Sequence, residues 1–297
     1  MPTAKIKDPS SQSLFATDPA PSGRVLCIGG SDPSGAAGIQ ADLKTLTALG
    51  AYGCTALTAV TVQNQHGVSD VVALPGSVVG AQIDAALSDA PCAAIKTGML
   101  ASLDAVYAVS ARARSFGSST QVIVDPVLCS SSGRRLLASE AVAALIKELI
   151  PLSALVTPNL SEAIELTGRT PKSREDLHFL ADHFLAMGAA AVLIKGGHPL
   201  GAAADEALVS DLLRTADGEH AWFERSRVPE PEFRGTGCAL ASAVAAGVAE
   251  GLTLHASVAR GIDYITHAMQ RPAPYGAVRA LAHHLPSHPF ETPGPGH

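Results

Sequence analysis

What the sequence lacks narrows it first. Its five cysteines, Cys27, Cys54, Cys92, Cys129 and Cys238, fall singly, and without a Cys-x-x-Cys spacing the common zinc and dithiol redox motifs are excluded. No apolar run approaches the ~20 residues of a membrane-spanning helix, and the first residues hold no apolar stretch of signal-peptide length. An odd number of thiols without a secretory signal predicts a reducing, cytoplasmic setting. Charge is sparse: Asp, Glu, Lys and Arg make up 16% of the chain and the formal net charge is -6. Nothing basic suggests a nucleic-acid surface. The global field mildly repels anions, so an anionic substrate has to be drawn in by local groups such as Lys195, Arg234 and helix ends. Aromatic residues are few, at 4%, and internal repeats and interior linkers are absent.

What is there is an Ala- and Gly-rich chain of 297 residues, 47% hydrophobic, a composition that suits a compact α/β enzyme. Residues 1–23, rich in Pro, Ser, Asp and Ala, are expected to form a disordered leader, and residues 283–297 a loosely held tail. Between them, residues 24–282 read as one domain. Short apolar runs alternate with segments of helical spacing: VLCIGG at 25–30, CTALTAVTVQN at 54–64, AAIKTGM at 93–99, QVIVDPV at 121–127, ALVTPN at 154–159 and AVLIKGG at 191–197. Runs apolar on both faces and separated by helices predict a parallel sheet covered on both sides. Ligands of such sheets gather at the carboxyl ends of the strands. Those ends read GGSDPSG, VQN, KTGM, DPV, TPN and KGGH, so six loops converge on one edge. A hairpin turning at Asp217-Gly218 follows, then two closing helices, the second near residues 255–270. Four of the five thiols lie in apolar strand-like runs and read as structural.

The densest chemistry lies in FRGTGCALASAVAA, residues 233–246, where Gly235, Thr236, Gly237 and Cys238 open a small-residue helix. Unpaired backbone N–H groups at such a start, beside the positive end of the helix dipole, make an anion site. The same field is expected to lower the Cys238 thiol from about 8.5 to between roughly 3.5 and 7.5, making it a candidate base. The first loop, Gly30-Ser-Asp-Pro-Ser-Gly-Ala-Ala, has the glycine spacing of a Walker A loop but lacks its Lys and Ser/Thr, and it also lacks Gly-x-Gly-x-x-Gly. It reads either as a flexible wall where backbone approaches a ligand or as a plain turn. Asp125, before a proline, and Asn159-Leu-Ser-Glu162 offer oxygen ligands for magnesium, although Asn159 can equally be a helix cap and Glu162 a dipole partner. Lys195 ends an apolar strand and must meet water or an anion, with a phosphate contact favoured. Asp42 and Gln63 can read the donors and acceptors of a polar ring, or Asp42 can pair with a lysine such as Lys44 and Gln63 can cap a strand.

Taken together, Gly30-Ser-Asp-Pro-Ser-Gly-Ala-Ala-Gly-Ile-Gln-Ala-Asp-Leu-Lys-Thr, Leu49-Gly-Ala-Tyr-Gly-Cys, Val62-Gln-Asn, Lys96-Thr-Gly-Met-Leu, Asp125-Pro-Val, Thr157-Pro-Asn-Leu-Ser-Glu-Ala, Lys195-Gly-Gly-His and Gly235-Thr-Gly-Cys resemble the hydroxymethylpyrimidine and phosphomethylpyrimidine kinases of thiamine biosynthesis. The resemblance runs in order from about Arg24 to Gln270. It implies a ribokinase-like three-layer α/β/α fold with a mainly parallel central sheet. It also implies ATP- and Mg2+-dependent phosphorylation of a hydroxymethylpyrimidine and then of its monophosphate, the alternatives being a pyridoxal kinase of the same fold or a silent sensor of such rings. By position it implies Asp42 and Gln63 reading the pyrimidine, with Gly30, Met99 and Val127 lining it. Asp125 and Glu162 match the metal region and Lys195 the nucleotide phosphates, with Asn159 and Arg234 as further candidates on the nucleotide side. Gly235, Thr236 and Gly237 match the anion hole and Cys238 the base. A homodimer without nucleic-acid or membrane partners is the implied assembly. Ala36, Ser131 and Phe233-Arg234 depart from the usual pattern, the last pair standing where Thr-His is common. Arg234 therefore either contacts a phosphate or points to solvent.

Overall fold

The alternation of apolar runs and helices builds one long sheet. The computed structural model describes residues 23–64, 66–117, 120–197, 207–228, 233–270 and 279–283. In chain order the elements are β1 (Arg24–Ser31), α1 (Gly38–Ala48), β2 (Tyr52–Asn64), β3 (Gly67–Ala73), α2 (Gly76–Asp89), β4 (Ala94–Thr97), α3 (Leu103–Ala113) and β5 (Gln121–Val124). Then come α4 (Ser139–Ala144), which runs on through a π turn and a 3-10 turn to Leu152, β6 (Leu155–Val156), α5 (Leu160–Thr167), α6 (Asp176–Ala186) and β7 (Ala191–Ile194). The hairpin β8 (Leu208–Thr215) and β9 (His220–Ser226) precedes β10 (Phe233–Arg234), α7 (Thr236–Ala249), α8 (Leu254–Gln270) and β11 (Arg279–Ala280).

The sheet is nine-stranded, in the order β3-β2-β1-β4-β5-β6-β7-β8-β9, with a separate pairing of β10 and β11. From β2 to β7 every pairing is parallel, whereas β3, β8 and β9 are antiparallel additions at the two edges. The central strands are buried on both faces, as continuous apolar runs require. On one face Leu26, Ile28, Ile95, Val122 and Val156 pack with α2 through α6. On the other, Val25, Cys27, Ile123, Leu155 and Leu193 pack with α1, α7 and α8. This is the expected three-layer arrangement.

Small residues let α7 lie deep in its layer. Residues 239–247 are all buried, and a Cβ on Gly247 would sit 2.7 Å from Ser257 Oγ of α8. The Asp217-Gly218 turn falls where expected, with Gly218 at φ 96°. Residues 1–22 of the expected leader and 284–297 of the expected tail lie outside the described residues. His283 Nδ1 is 2.9 Å from Tyr264 Oη.

At the carboxyl end of β4 the chain turns sharply through Ala101, which holds φ +66° and is buried. Its carbonyl accepts from Ala138 N–H at 3.1 Å, and Ser102 then caps α3 by accepting from Ala105 N–H at 3.2 Å. A left-handed backbone is strained for any residue with a Cβ and more so for a branched one. Ala101→Val is expected to lower unfolding free energy by about 2–3 kcal/mol in urea titration, while Ala101→Gly stays within about 1 kcal/mol because relief of strain is offset by the lost methyl and a freer unfolded chain. Unchanged stability in the valine variant would contradict this strain.

Candidate active site

The strand ends, the loop before α1 and the start of α7 enclose a cavity of about 520 Å³. Every candidate residue named from the sequence lines it: Gly30, Asp42, Gln63, Met99, Asp125, Val127, Asn159, Glu162, Lys195, Arg234, Gly235, Thr236, Gly237 and Cys238. A roomier cavity of about 710 Å³ opens at the opposite sheet edge, beside Gln121, Ala154 and Ala191. None of the candidates reaches it, so chemistry is assigned to the smaller one.

Gly235 opens α7 in the left-handed conformation, φ 77°. A Cβ there would lie 1.9 Å from Ala36 O, so only glycine lets the first loop press against the helix start. The first N–H that α7 uses within itself is that of Ala239, donated to Gly235 O at 2.9 Å. Those of Thr236, Gly237 and Cys238 precede it, in the first turn, where helices leave donors for an anion. Beside them, Lys195 Nζ donates to Asp125 Oδ1 at 2.9 Å, which also accepts from Thr157 Oγ1 at 3.2 Å. A Cβ on Gly237 would meet Lys195 Nζ at 3.1 Å and Asp125 Oδ2 at 3.8 Å, so the glycine brings the helix start down onto this pair. Burial alone would lower the Lys195 ammonium; Asp125 and Glu162 outweigh it and hold it above its usual range.

Asn159 and Glu162 form a reciprocal cap at the start of α5. Glu162 N–H donates to Asn159 Oδ1 at 2.9 Å, and Asn159 N–H to Glu162 Oε2 at 2.8 Å. Burial pushes the Glu162 carboxyl up to about 7; Lys195 opposes this and the Asp125 charge adds to it. Two carboxylates facing one cavity, one of them reluctant to ionise beside the other, suit a divalent cation, and magnesium commonly takes one or two carboxylates with water and phosphate completing its shell. Among the described residues no group of three His, Cys, Asp or Glu is placed to hold a metal alone, which is compatible with that mode.

Three expectations need correction. First, the Cys238 thiol is not lowered. Desolvation pushes it up to about 11, with Asp42 and Asp125 adding to the rise and Lys96 and a hydrogen bond from the Gly38 backbone opposing it. The helix field is real, but removal from water is the larger effect. Second, the Asp42 carboxylate is not free to read a ring. Lys96 Nζ donates to both its oxygens, at 2.8 and 2.9 Å, and Ser242 Oγ donates to Oδ1 at 2.8 Å. Its partner is thus Lys96, whereas Lys44 donates to Gly35 O. Lys96 is fully buried, and although burial works against its charge, Asp42 holds it well above the usual lysine range. Third, Arg234 is buried rather than pointing to solvent, and it donates to the Asn64 carbonyl at the end of β2.

The first loop is braced rather than loose. Asp32 Oδ1 accepts from Ser34 N–H at 2.8 Å, Asp32 Oδ2 from Ala37 N–H at 2.9 Å, and Gln40 Oε1 takes Asp32 N–H at 2.9 Å. Opposite, Met99 packs with Ala59 and Ala101, and Val127 lies against that group. Gly30 brings backbone close to Met99, since a Cβ there would be 2.9 Å from Sδ. Gln63, at the end of β2, is partly exposed at the same wall. Lys96 was the residue missed in the sequence, although a lysine inside AAIKTGM carries the same signal as Lys195 inside AVLIKGG.

The sequence model of the phosphomethylpyrimidine kinase family matches residues 32–283. The chain is 40% identical over 265 residues to the hydroxymethylpyrimidine/phosphomethylpyrimidine kinase of Rhizobium meliloti, covering 88% of this chain and 96% of that one. It is 41% identical over 267 residues to the thiamine biosynthesis bifunctional protein ThiED of Geobacter sulfurreducens, covering 90% of this chain but only 53% of that longer protein. Among solved structures, the pyridoxal kinase of Staphylococcus aureus in complex with AMP-PCP and pyridoxal superposes with a TM-score of 0.77 at 32% identity, over 88% of this chain and 93% of that one. The phosphomethylpyrimidine kinase of Clostridium difficile gives a TM-score of 0.71 at 36% identity, over 83% and 99%.

The Glu162 environment has a consequence for stability. Its folded pKa, near 7, lies above the ordinary 4.5, so the folded chain binds the proton more tightly and stability falls as pH rises through that window. Glu162→Gln keeps the cap and removes the charge. It is expected to stabilise the ligand-free protein by about 1–3 kcal/mol at pH 8 and by little at pH 4.5, read by chemical denaturation. A variant with the parent's pH dependence would remove this account of Glu162.

Proposed function

The chain belongs to the phosphomethylpyrimidine kinase family, and we propose that its cavity passes the terminal phosphoryl group of ATP to 4-amino-5-hydroxymethyl-2-methylpyrimidine and then to the resulting monophosphate, serving thiamine biosynthesis. One observation carries this reading: a single cavity joins the α7 amides, Lys195 and two carboxylates to an apolar wall that ends in Gln63. A phosphate chain suits the first side and a flat polar ring the second.

Phosphoryl transfer requires mainly alignment and neutralisation of charge. Lys195 and the amides of Gly235, Thr236 and Gly237 are assigned to the transferring phosphates, with Asn159 on the nucleotide side; Arg234, bonded to the Asn64 carbonyl beside Gln63, stands toward the ring side instead. Asp125 and Glu162 would hold Mg2+, directly or through water, where it supplies positive charge to phosphate oxygens. Gln63 is assigned to the edge of the ring and Gly30, Met99 and Val127 to its faces. Asp42 acts beneath the ring through Lys96 and Ser242 rather than on it directly. The enzyme is placed in the cytoplasm as a homodimer, two-fold assemblies being the commonest. Among the described residues no helix is long and apolar enough to cross a membrane.

Cys238 is assigned to the alcohol step. With its thiol near 11, only about one molecule in 10⁴ carries thiolate at pH 7, but that thiolate is a correspondingly strong base toward the substrate hydroxyl. In the second step the nucleophile is a phosphate monoester with a second pKa around 6, already ionised, and no side-chain base is required.

ATP consumption measured side by side with hydroxymethylpyrimidine, its monophosphate and pyridoxal is expected to show turnover with the first two. Preference for pyridoxal would move the chain to the activity named for its Staphylococcus aureus structural neighbour, and tight binding without turnover would make it a sensor. Cys238→Ala is expected to slow the alcohol step about 10²- to 10⁴-fold and to leave the monophosphate step within about threefold. In the parent enzyme the alcohol step should rise about tenfold per pH unit between pH 7 and 9, as the thiolate fraction does. Equal losses in both steps would overturn the division of labour.

A further inference from the structure

Away from the cavity, two thiols face each other beneath the start of β1. Cys54 Sγ and Cys92 Sγ are 3.7 Å apart, although the residues are 38 positions apart in the chain. Cys54 sits on β2 opposite Leu26 of β1, and its sulfur is also 3.5 Å from Val25 O. Cys92 lies in the short approach to β4, where its carbonyl accepts from Thr120 Oγ1 at 2.9 Å. The two differ in access: Cys92 is buried, whereas Cys54 is only partly so. Arg24 reaches over the same corner, donating to the carbonyls of Ala86, at 2.9 Å, and Ala90. Its guanidinium lies 5.9 Å from the centre of the Tyr52 ring.

This arrangement has the parts of an oxidation site. A partly accessible thiol beside a cation forms thiolate readily, and a second thiol in contact can resolve its oxidised form. The cysteines elsewhere lack that combination. Cys27 is fully buried and Cys129, though exposed, has no sulfur partner among the described residues. The electrostatics agree with the geometry: the hydrogen bond from Cys92 and the Arg24 charge bring the Cys54 thiol down to about 7, against burial, while Cys92 is held above its usual range.

We infer that Cys54 and Cys92 form a peroxide-sensitive pair, Cys54 being attacked first and Cys92 closing a disulfide between β2 and the approach to β4. The Cys54 thiolate attacks one oxygen of hydrogen peroxide; an S–O bond forms, the O–O bond breaks, and the departing hydroxide takes a proton to leave as water. Cys92 sulfur then attacks the Cys54 sulfenic sulfur, forming S–S as S–O breaks, and its proton leaves with that hydroxyl as a second water. Two thiols are oxidised by two electrons and one peroxide is reduced to two waters. The sulfurs must approach from 3.7 Å to the ~2.05 Å of a disulfide bond, and because β1 lies between β2 and β4 in the sheet the short approach to β4 has to shift as the bond closes.

The test treats the full chain with a slight excess of hydrogen peroxide near neutral pH, alkylates the remaining thiols and maps peptides by mass spectrometry. A Cys54–Cys92 cross-linked peptide is expected, with an intact mass about 2 Da lower and reversal by dithiothreitol. Cys92→Ser is expected to abolish the link and leave Cys54 as a sulfenic acid captured by dimedone, and Cys54→Ser to abolish both signals. The inference is overturned if both thiols remain alkylatable while Cys129 is oxidised. It is equally overturned if Cys54 bridges to a different cysteine, or if Cys54 goes on to sulfinic acid in the parent chain without linking to Cys92.

Discussion

The ion pair between Asp42 and Lys96, both buried to 1% exposure, is the contact on which the site depends. Asp42 comes from α1, Lys96 from β4, and Ser242, which joins them, from α7. Each of these elements also carries a wall of the cavity: the braced loop before α1, the Gly98-Met99 turn after β4 and the Gly235–Cys238 start of α7. A closed buried pair is worth little more than an apolar replacement, but one left with a missing partner is costly. It therefore fixes which surfaces meet more than it adds to stability. The helix face with Ser242 also carries Cys238, one turn earlier, so the pair sets where the thiol stands relative to the ring side.

A second lysine–carboxylate couple, Lys195 with Asp125, has the same chemistry and a different exposure. Lys195 is 14% exposed, against 1% for Lys96. The first couple is closed and structural, with both carboxylate oxygens taken by one ammonium. The second opens on the cavity, keeps a glycine at its side and faces Glu162, so its charges are available to a phosphate and a cation. The apolar group around Met99 lies across from it, which divides the cavity into a charged half and a ring-sized half. The proposed phosphoryl transfer depends on positioning and charge neutralisation, and that division is compatible with both.

Much of this was legible in the sequence because the signals are local. Apolar strand runs and their polar ends gave the parallel sheet and the loop edge, Asp217-Gly218 marked the β8–β9 hairpin, and Gly235-Thr-Gly-Cys marked a helix start. What could not be read depends on contacts distant in sequence. The partner of Asp42 lies 54 residues away, so a nearby lysine looked as good as Lys96. The Cys238 thiol was expected low because its helix terminus is visible in the sequence, whereas the desolvation that raises it comes from burial in the folded chain. Arg234 could be assigned to phosphate or to solvent, but its bond to the Asn64 carbonyl joins positions 170 residues apart in the chain.

The central claim is that Asp42 and Lys96 act as one structural unit beneath the cavity. A double-mutant cycle on Asp42→Leu, Lys96→Met and the combined variant, read by chemical unfolding, tests it most directly. Each single change is predicted to cost about 3–5 kcal/mol by stranding a buried charge, and the double variant to recover most of that loss. Additive losses, with coupling below about 0.5 kcal/mol, would contradict the account.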